Sequence, residues 1–140
     1  MAHSDPSRLN GWGLWVLRIT VGAVFLVHGL QKVFVFGLGG VAGYLAQQGF
    51  PAPGLLAFVL SAGELAGGVA LLLGLFTRSA AIGLAITMLL AIFTVHLKRG
   101  FFMPAGFEYA LALLGANISI ALTGARTAAV DVLIRRRSSR

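Results

Sequence analysis

Four long apolar stretches, each closed by charged or turn-forming residues, constrain this chain more than any other feature. They fall at about residues 12–31, 55–76, 79–97 and 107–123. An α-helix rises ~1.5 Å per residue, so roughly 20 residues cross a hydrocarbon core ~30 Å thick. Each stretch is near that length, the fourth being the shortest. Of 140 residues, 58% are hydrophobic and 11% charged, and the mean hydropathy is +0.91. A soluble domain of this size lacks the interior volume to hide so much apolar surface behind fifteen charges. The expected fold is all-α: an integral membrane four-helix bundle, one transmembrane domain over residues 1–140 with a basic cytoplasmic tail at 124–140.

Only Thr77 and Arg78 part the second and third stretches, so these two are predicted to form an antiparallel helical hairpin. Basic residues set the orientation. Arg8, Arg78, Arg126, Arg135, Arg136, Arg137 and Arg140 gather on one side, against Lys32, Lys98 and Arg99 on the other. By the excess of basic residues in cytoplasmic flanks, both termini are expected inside, in the plasma (cytoplasmic) membrane. The net charge of +7 therefore reads as a membrane flank attracted to the lipid bilayer, and no nucleic acid is expected as a partner. The first stretch reads as retained, because Gln31 and Lys32 stand where a signal peptide would need small residues. Residues 33–54 are apolar and glycine-rich, with Val41, Tyr44, Leu45 and Gln48 at helical spacing, which predicts a short interfacial or re-entrant helix between spans 1 and 2.

Polar groups inside the spans carry the functional information, because an ionisable side chain there costs roughly 2.5–3.5 kcal/mol and needs a partner. Arg18 in the first span and Glu64 in the second are expected to form an ion pair. Both lie on seams of small residues: Gly22 and Gly29 on Arg18's side, Ser61, Gly67 and Gly68 around Glu64, with Gly63-x-x-x-Gly67 allowing close approach. That pair fixes helix register on the plain reading; on the sharper one Glu64 carries a proton. A second group reaches the outer surface from three helices: His28 and Lys32, His96, and Glu108 with Tyr109. Two histidines and a carboxylate have the donor types of a metal site, and two histidines those of axial haem ligation, but shared depth is not ligand geometry. No metal is expected, and haem is not the favoured ligand. A polar headgroup such as a quinone fits better, its carbonyls accepting hydrogen bonds from His, Lys or Tyr among Phe34, Phe36, Phe50, Phe101, Phe102 and Phe107. An aromatic belt at the membrane interface would also place these rings there. With no cysteine there is no thiolate metal site, disulfide or dithiol relay, and the chain carries no flavin, NAD or iron–sulfur signature.

Several motifs, taken in order, resemble the DoxX family. They are Arg18, Phe25-Leu26-Val27-His28-Gly29-Leu30-Gln31-Lys32, Gly49-Phe50-Pro51-Ala52-Pro53 and Glu64-Leu65-Ala66-Gly67-Gly68. Leu73-Gly74-Leu75-Phe76-Thr77-Arg78, Ala91-Ile92-Phe93-Thr94-Val95-His96 and Gly100-Phe101-Phe102 through Glu108-Tyr109 complete the pattern. The resemblance implies a four-helix integral membrane protein engaged in membrane redox work, the family taking its name from a subunit of a thiosulfate:quinone oxidoreductase. It also places Arg18, His28, Lys32, Glu64, His96 and Glu108 at the family's recurring polar positions. The expected function is a membrane subunit of a quinone-linked oxidoreductase system, with other membrane subunits or a second copy of itself as partners. The alternative is a non-catalytic structural accessory subunit of a larger membrane complex. A permease is disfavoured, since four short spans enclose little volume and no broken-helix pair is present.

Overall fold

The computed structural model describes residues 6–125 and 127–138, and among them every regular element is helical. Helix α1 (Pro6–Leu30) runs on through a π-helical turn, Gln31–Val35; α2 is Gly37–Gln47, α3 Pro53–Leu73 and α4 Thr77–Ala91. Helix α4 is also prolonged, by a π turn (Ile92–His96) and a 3₁₀ turn (Leu97–Arg99), before α5 (Glu108–Thr123) and α6 (Val130–Ser138). Three helical segments are long and apolar enough to cross a membrane: Leu9–Val35, Pro53–Leu73 and Thr77–Arg99. The fourth expected span is the shorter apolar helix Glu108–Thr123, whose 16 residues reach ~24 Å at ~1.5 Å per residue.

Local chemistry explains the boundaries. Pro53 opens α3, where its missing N–H costs nothing, and Gly74 closes it at φ +66, with Leu75 N–H bonded back to Ala70 O. Gly49 (φ +81) ends α2 in the same way, Phe50 N–H bonding Leu45 O. The short helix expected between the first two spans is α2. It packs on α3 through Val41 and Leu45 against Ala57.

Helix α1 packs chiefly on α3 and α4 chiefly on α5; α3 also meets α4, and α1 meets α5. The core between them holds Val21, Phe25, Leu71, Leu84, Met88, Ile92 and Ile120. Many large apolar side chains face outward on every long helix, among them Val16, Val27, Phe58, Val59, Ile82, Ile86, Phe93 and Ile118. Such surfaces suit lipid rather than water.

Glycines set how close α1 comes to α3. A Cβ at Gly68 would lie 2.5 Å from Leu26 N, one at Gly29 2.8 Å from Leu65 N, and one at Gly22 3.0 Å from Gly68 O. The Gly63-x-x-x-Gly67 motif is not the seam: Gly63 meets nothing within 4 Å, and Gly67 faces Leu84 of α4.

Candidate functional site

The glycine contacts fix the antiparallel register of α1 on α3, and the register decides which charges meet. With Gly22 against Gly68 and Gly29 against Leu65, Glu64 stands level with about residue 28. That is ten residues, ~15 Å, outward of Arg18. The expected Arg18–Glu64 pair is therefore not the one that forms. Lys32 Nζ donates to Glu64 Oε2 instead. The π turn carries helix α1 beyond Leu30, which keeps Lys32 on a helix and alongside α3. The Glu64 side chain is 5% exposed and that of Lys32 25%. A nearly buried carboxylate is thus held by a cation whose stem reaches toward the surface, the usual behaviour of lysine at such a boundary.

One turn before Glu64, the Ser61 hydroxyl is buried and makes no hydrogen bond. Other hydroxyls on these helices behave differently. Thr87, Thr94 and Thr123 each donate to the carbonyl four residues back, on Gly83, Leu90 and Ser119, and Asn117 Nδ2 does the same to Leu113 O. Ser61 therefore keeps an uncommitted donor and acceptor beside the carboxylate, the kind of group that needs a reason to stay buried. The Asn117 Oδ1 and Thr77 Oγ1 atoms are likewise buried without partners.

The expected outer group divides. His28 lies against Tyr109, ring centroids 6.4 Å apart and tilted at 47°, and both are exposed. His28 precedes Lys32 by one turn, so α1 presents imidazole and ammonium in succession. His96 and Glu108 serve the loop between α4 and α5. His96 Nδ1 is 2.9 Å from Ala105 O, a contact in which the ring nitrogen donates because a carbonyl only accepts. Glu108 Oε1 accepts Met103 N–H at 2.6 Å, and Glu108 N–H bonds Phe101 O. Phe101 packs edge-on to Phe102 and to Phe107 in the same loop. Among the described residues no three His, Asp or Glu side chains converge as a metal ion would require.

Arg18 belongs to a different cluster, at the opposite end of α1 and α3. Its Nη2 donates to Ala128 O at 2.7 Å, its Nε is buried without a partner, and it lies in the field of Asp131. Gly74 must be glycine here, because a Cβ would meet both Arg18 Nη1 and Ala129 Cβ at 2.5 Å. Asp131 staples the turn between α3 and α4: its carboxylate accepts Phe76 N–H and Thr77 N–H, each at 2.9 Å, and its own N–H donates to Gly74 O. A carboxylate on the first amides of α4 also complements the helix dipole. Arg78 Nη2 donates to Leu122 O at 3.2 Å. The segment after α5, expected as a tail, thus folds back over the end of the bundle. Arg126 and Arg140, part of the orientation expectation, lie outside the described residues, as do the side chains of Arg8, Arg135, Arg136 and Arg137.

Sequence reasoning missed Asp131 and gave Ser61 no role beyond small size. Asp131 carries a signal in retrospect: it is the only acid after Glu108, set between valines ahead of three arginines.

The DoxX family profile matches residues 13–97 of the chain. A Bacillus subtilis (strain 168) protein named "Putative oxidoreductase CatD" is 39% identical over 122 residues, covering 87% of each chain. An uncharacterized protein of Haemophilus influenzae is 34% identical over 132 residues, 91% of this chain and 95% of its own length. No solved structure gives a significant match.

Proposed function

The chain belongs to the DoxX family of membrane proteins, and from that premise we propose that it is a membrane subunit of a quinone-linked oxidoreductase system, seating a quinone or similar headgroup at the outer side of a four-span bundle. The helices α1, α3, α4 and α5 are the four crossings in this reading, with both termini cytoplasmic and the plasma membrane as host. The closed succession of contacts α1–α3–α4–α5–α1 supports the bundle, and Arg8, Arg78 and the late arginines support the orientation.

The observation that carries the proposal is the Lys32–Glu64 pair with the unbonded Ser61 beneath it. A quinone would supply the electron-accepting ring and two carbonyl acceptors. The residues present fit such a group: Lys32, His28 and Tyr109 are donors at one level, Phe34 and Phe36 are exposed apolar surface nearby in sequence, and Glu64 is a proton carrier shielded from water. Lys32 and His28 would orient a carbonyl by hydrogen bonding, and Glu64, relayed through Lys32, would give or take the proton that accompanies reduction or oxidation of the ring. The chain has no cysteine and no cluster or flavin motif, so electrons reach such a site from a partner subunit. The relative's printed name, an oxidoreductase, agrees with this role.

The test is quinone content after gentle purification from the native membrane, wild type against His28→Ala and Glu64→Gln. Quinone bound to the wild type and lost from both folded variants supports the reading. Absence of quinone from a wild type that retains its partner subunits refutes it. That second result would favour a structural accessory subunit, a role consistent with one fact on its side: Lys32 already satisfies Glu64, so the pair can serve register alone.

A further inference from the structure

At the Arg18 end, the segment that folds back after α5 leaves an open groove against the end of α3. Leu73, Ala128, Ala129, Val130, Val132 and Leu133 line it, with Thr127 the one polar wall. Leu73 is the last residue of a membrane-length helix, so the groove begins where the hydrocarbon would end. Its far wall is α6, which Asp131 holds in place through the amides of Phe76 and Thr77. Leu133 and Ile134 stand exposed on α6, and Arg135, Arg136 and Arg137 follow them in the same helix. Apolar walls on a helix whose sequence continues into three cations suit one class of occupant: an acyl chain joined to an anionic headgroup.

We infer that this groove is a binding site for one anionic phospholipid of the leaflet facing the Arg18 end, its acyl chain along Leu73, Val132 and Leu133 and its headgroup at the basic end of α6. A diffuse attraction of the tail to charged membrane would need only the arginines. The structure adds a wall fixed to the bundle by four hydrogen bonds: Asp131 to Phe76 N–H, Thr77 N–H and Gly74 O, and Arg18 to Ala128 O. Short amphipathic helices with a basic end bind anionic lipid in this manner, and each arginine near the surface contributes about a fivefold preference. The inference rests on the membrane embedding proposed above but not on the quinone.

The test titrates purified protein in neutral detergent at low salt with phosphatidylglycerol, and separately with phosphatidylcholine of the same acyl chains, counting bound lipid by native mass spectrometry. Wild type should hold one phosphatidylglycerol with a preference on the order of 100-fold, three arginines acting together. R135Q/R136Q/R137Q should bring the two lipids to within about twofold, and R135K/R136K/R137K should restore the preference. Leu133→Asp, at an exposed position, should weaken both lipids about tenfold. No preference in the wild type, undiminished binding by Leu133→Asp, or a second copy or another polypeptide held there in place of lipid would each overturn the site. Quinone content is read on the same samples, so loss of the lipid site is distinguishable from failure of the quinone reading.

Discussion

The register of α1 on α3 makes a prediction that separates two pairings of the same three charges. Lys32→Met strands a carboxylate that is 5% exposed, and removing one partner of a buried pair costs roughly 3–5 kcal/mol. Glu64→Gln strands an ammonium instead. Since Lys32 is 25% exposed and its stem can extend to the surface, that loss should be nearer 2 kcal/mol. The double variant Lys32→Met/Glu64→Gln leaves no uncompensated charge and should return to within about 1 kcal/mol of wild type, giving a coupling energy above about 2 kcal/mol. Arg18→Gln should show no such coupling to Glu64→Gln. Groups separated by ~15 Å along the helices add within about 0.5 kcal/mol. Unfolding by SDS in mixed micelles, measured for the four members of each cycle, reads both numbers. Strong coupling between Arg18 and Glu64, with Lys32 and Glu64 additive, would refute the register and everything built on it.

The two glycines of the Gly-x-x-x-Gly region offer a contrast on one helix. Gly68→Ala should cost about 1–3 kcal/mol, because its Cβ meets α1 backbone, whereas Gly63→Ala, in open space, should be neutral or stabilising by up to about 1 kcal/mol; the same SDS titration checks both. Asp131→Ala removes the acceptor for two N–H groups at the start of α4 and should cost about 1–2 kcal/mol, accompanied by faster proteolysis after α5. Ser61→Ala deletes a buried hydroxyl without a partner, so stability should hold or rise by about 1 kcal/mol. If the hydroxyl serves a bound headgroup, quinone content should fall in that same stable variant.

How far the sequence was legible follows the range of the interactions. Helices α1, α3, α4 and α5 were readable because each is a run of apolar residues with local stops, such as Pro53 at one end of α3 and Gly74 at the other. Helix α2 was readable from the spacing of Val41, Tyr44 and Leu45. The partner of Glu64 was not readable. Depths counted inward from assumed span ends put Arg18 and Glu64 near one level, whereas the glycine contacts set them about ten residues, ~15 Å, apart; α1 does not stop near residue 31 but runs on through Val35, which keeps Lys32 on the helix beside Glu64. The role of Asp131 was further out of reach. It caps a helix 54 residues earlier in the chain, and no local pattern encodes a cap supplied from so far away. His96 and Glu108 were expected at the ends of the third and fourth spans as parts of an outer ligand group, yet sequence depth could not reveal that backbone groups of the loop between α4 and α5 engage both.

The two polar clusters then differ in a way that bears on chemistry. At the Arg18 end each charged side chain engages the backbone, Arg18 and Arg78 through carbonyls and Asp131 through amides, while Arg18 Nε and Thr77 Oγ1 stay unbonded. These contacts tie three elements together, and none of them requires a titrating proton. At the Glu64 end the contact is between two ionisable side chains, an acid and a base, with an unbonded hydroxyl and an exposed imidazole alongside. Close backbone contact at Gly22, Gly29 and Gly68 holds the helices that carry them in register. Lys32, Glu64 and His28 fall inside residues 13–97, the stretch matched to the family, as do Arg18 and Arg78, whereas Asp131 and Tyr109 fall outside it. The Asp131 staple, by contrast, secures the turn between α3 and α4 at the opposite end of the bundle.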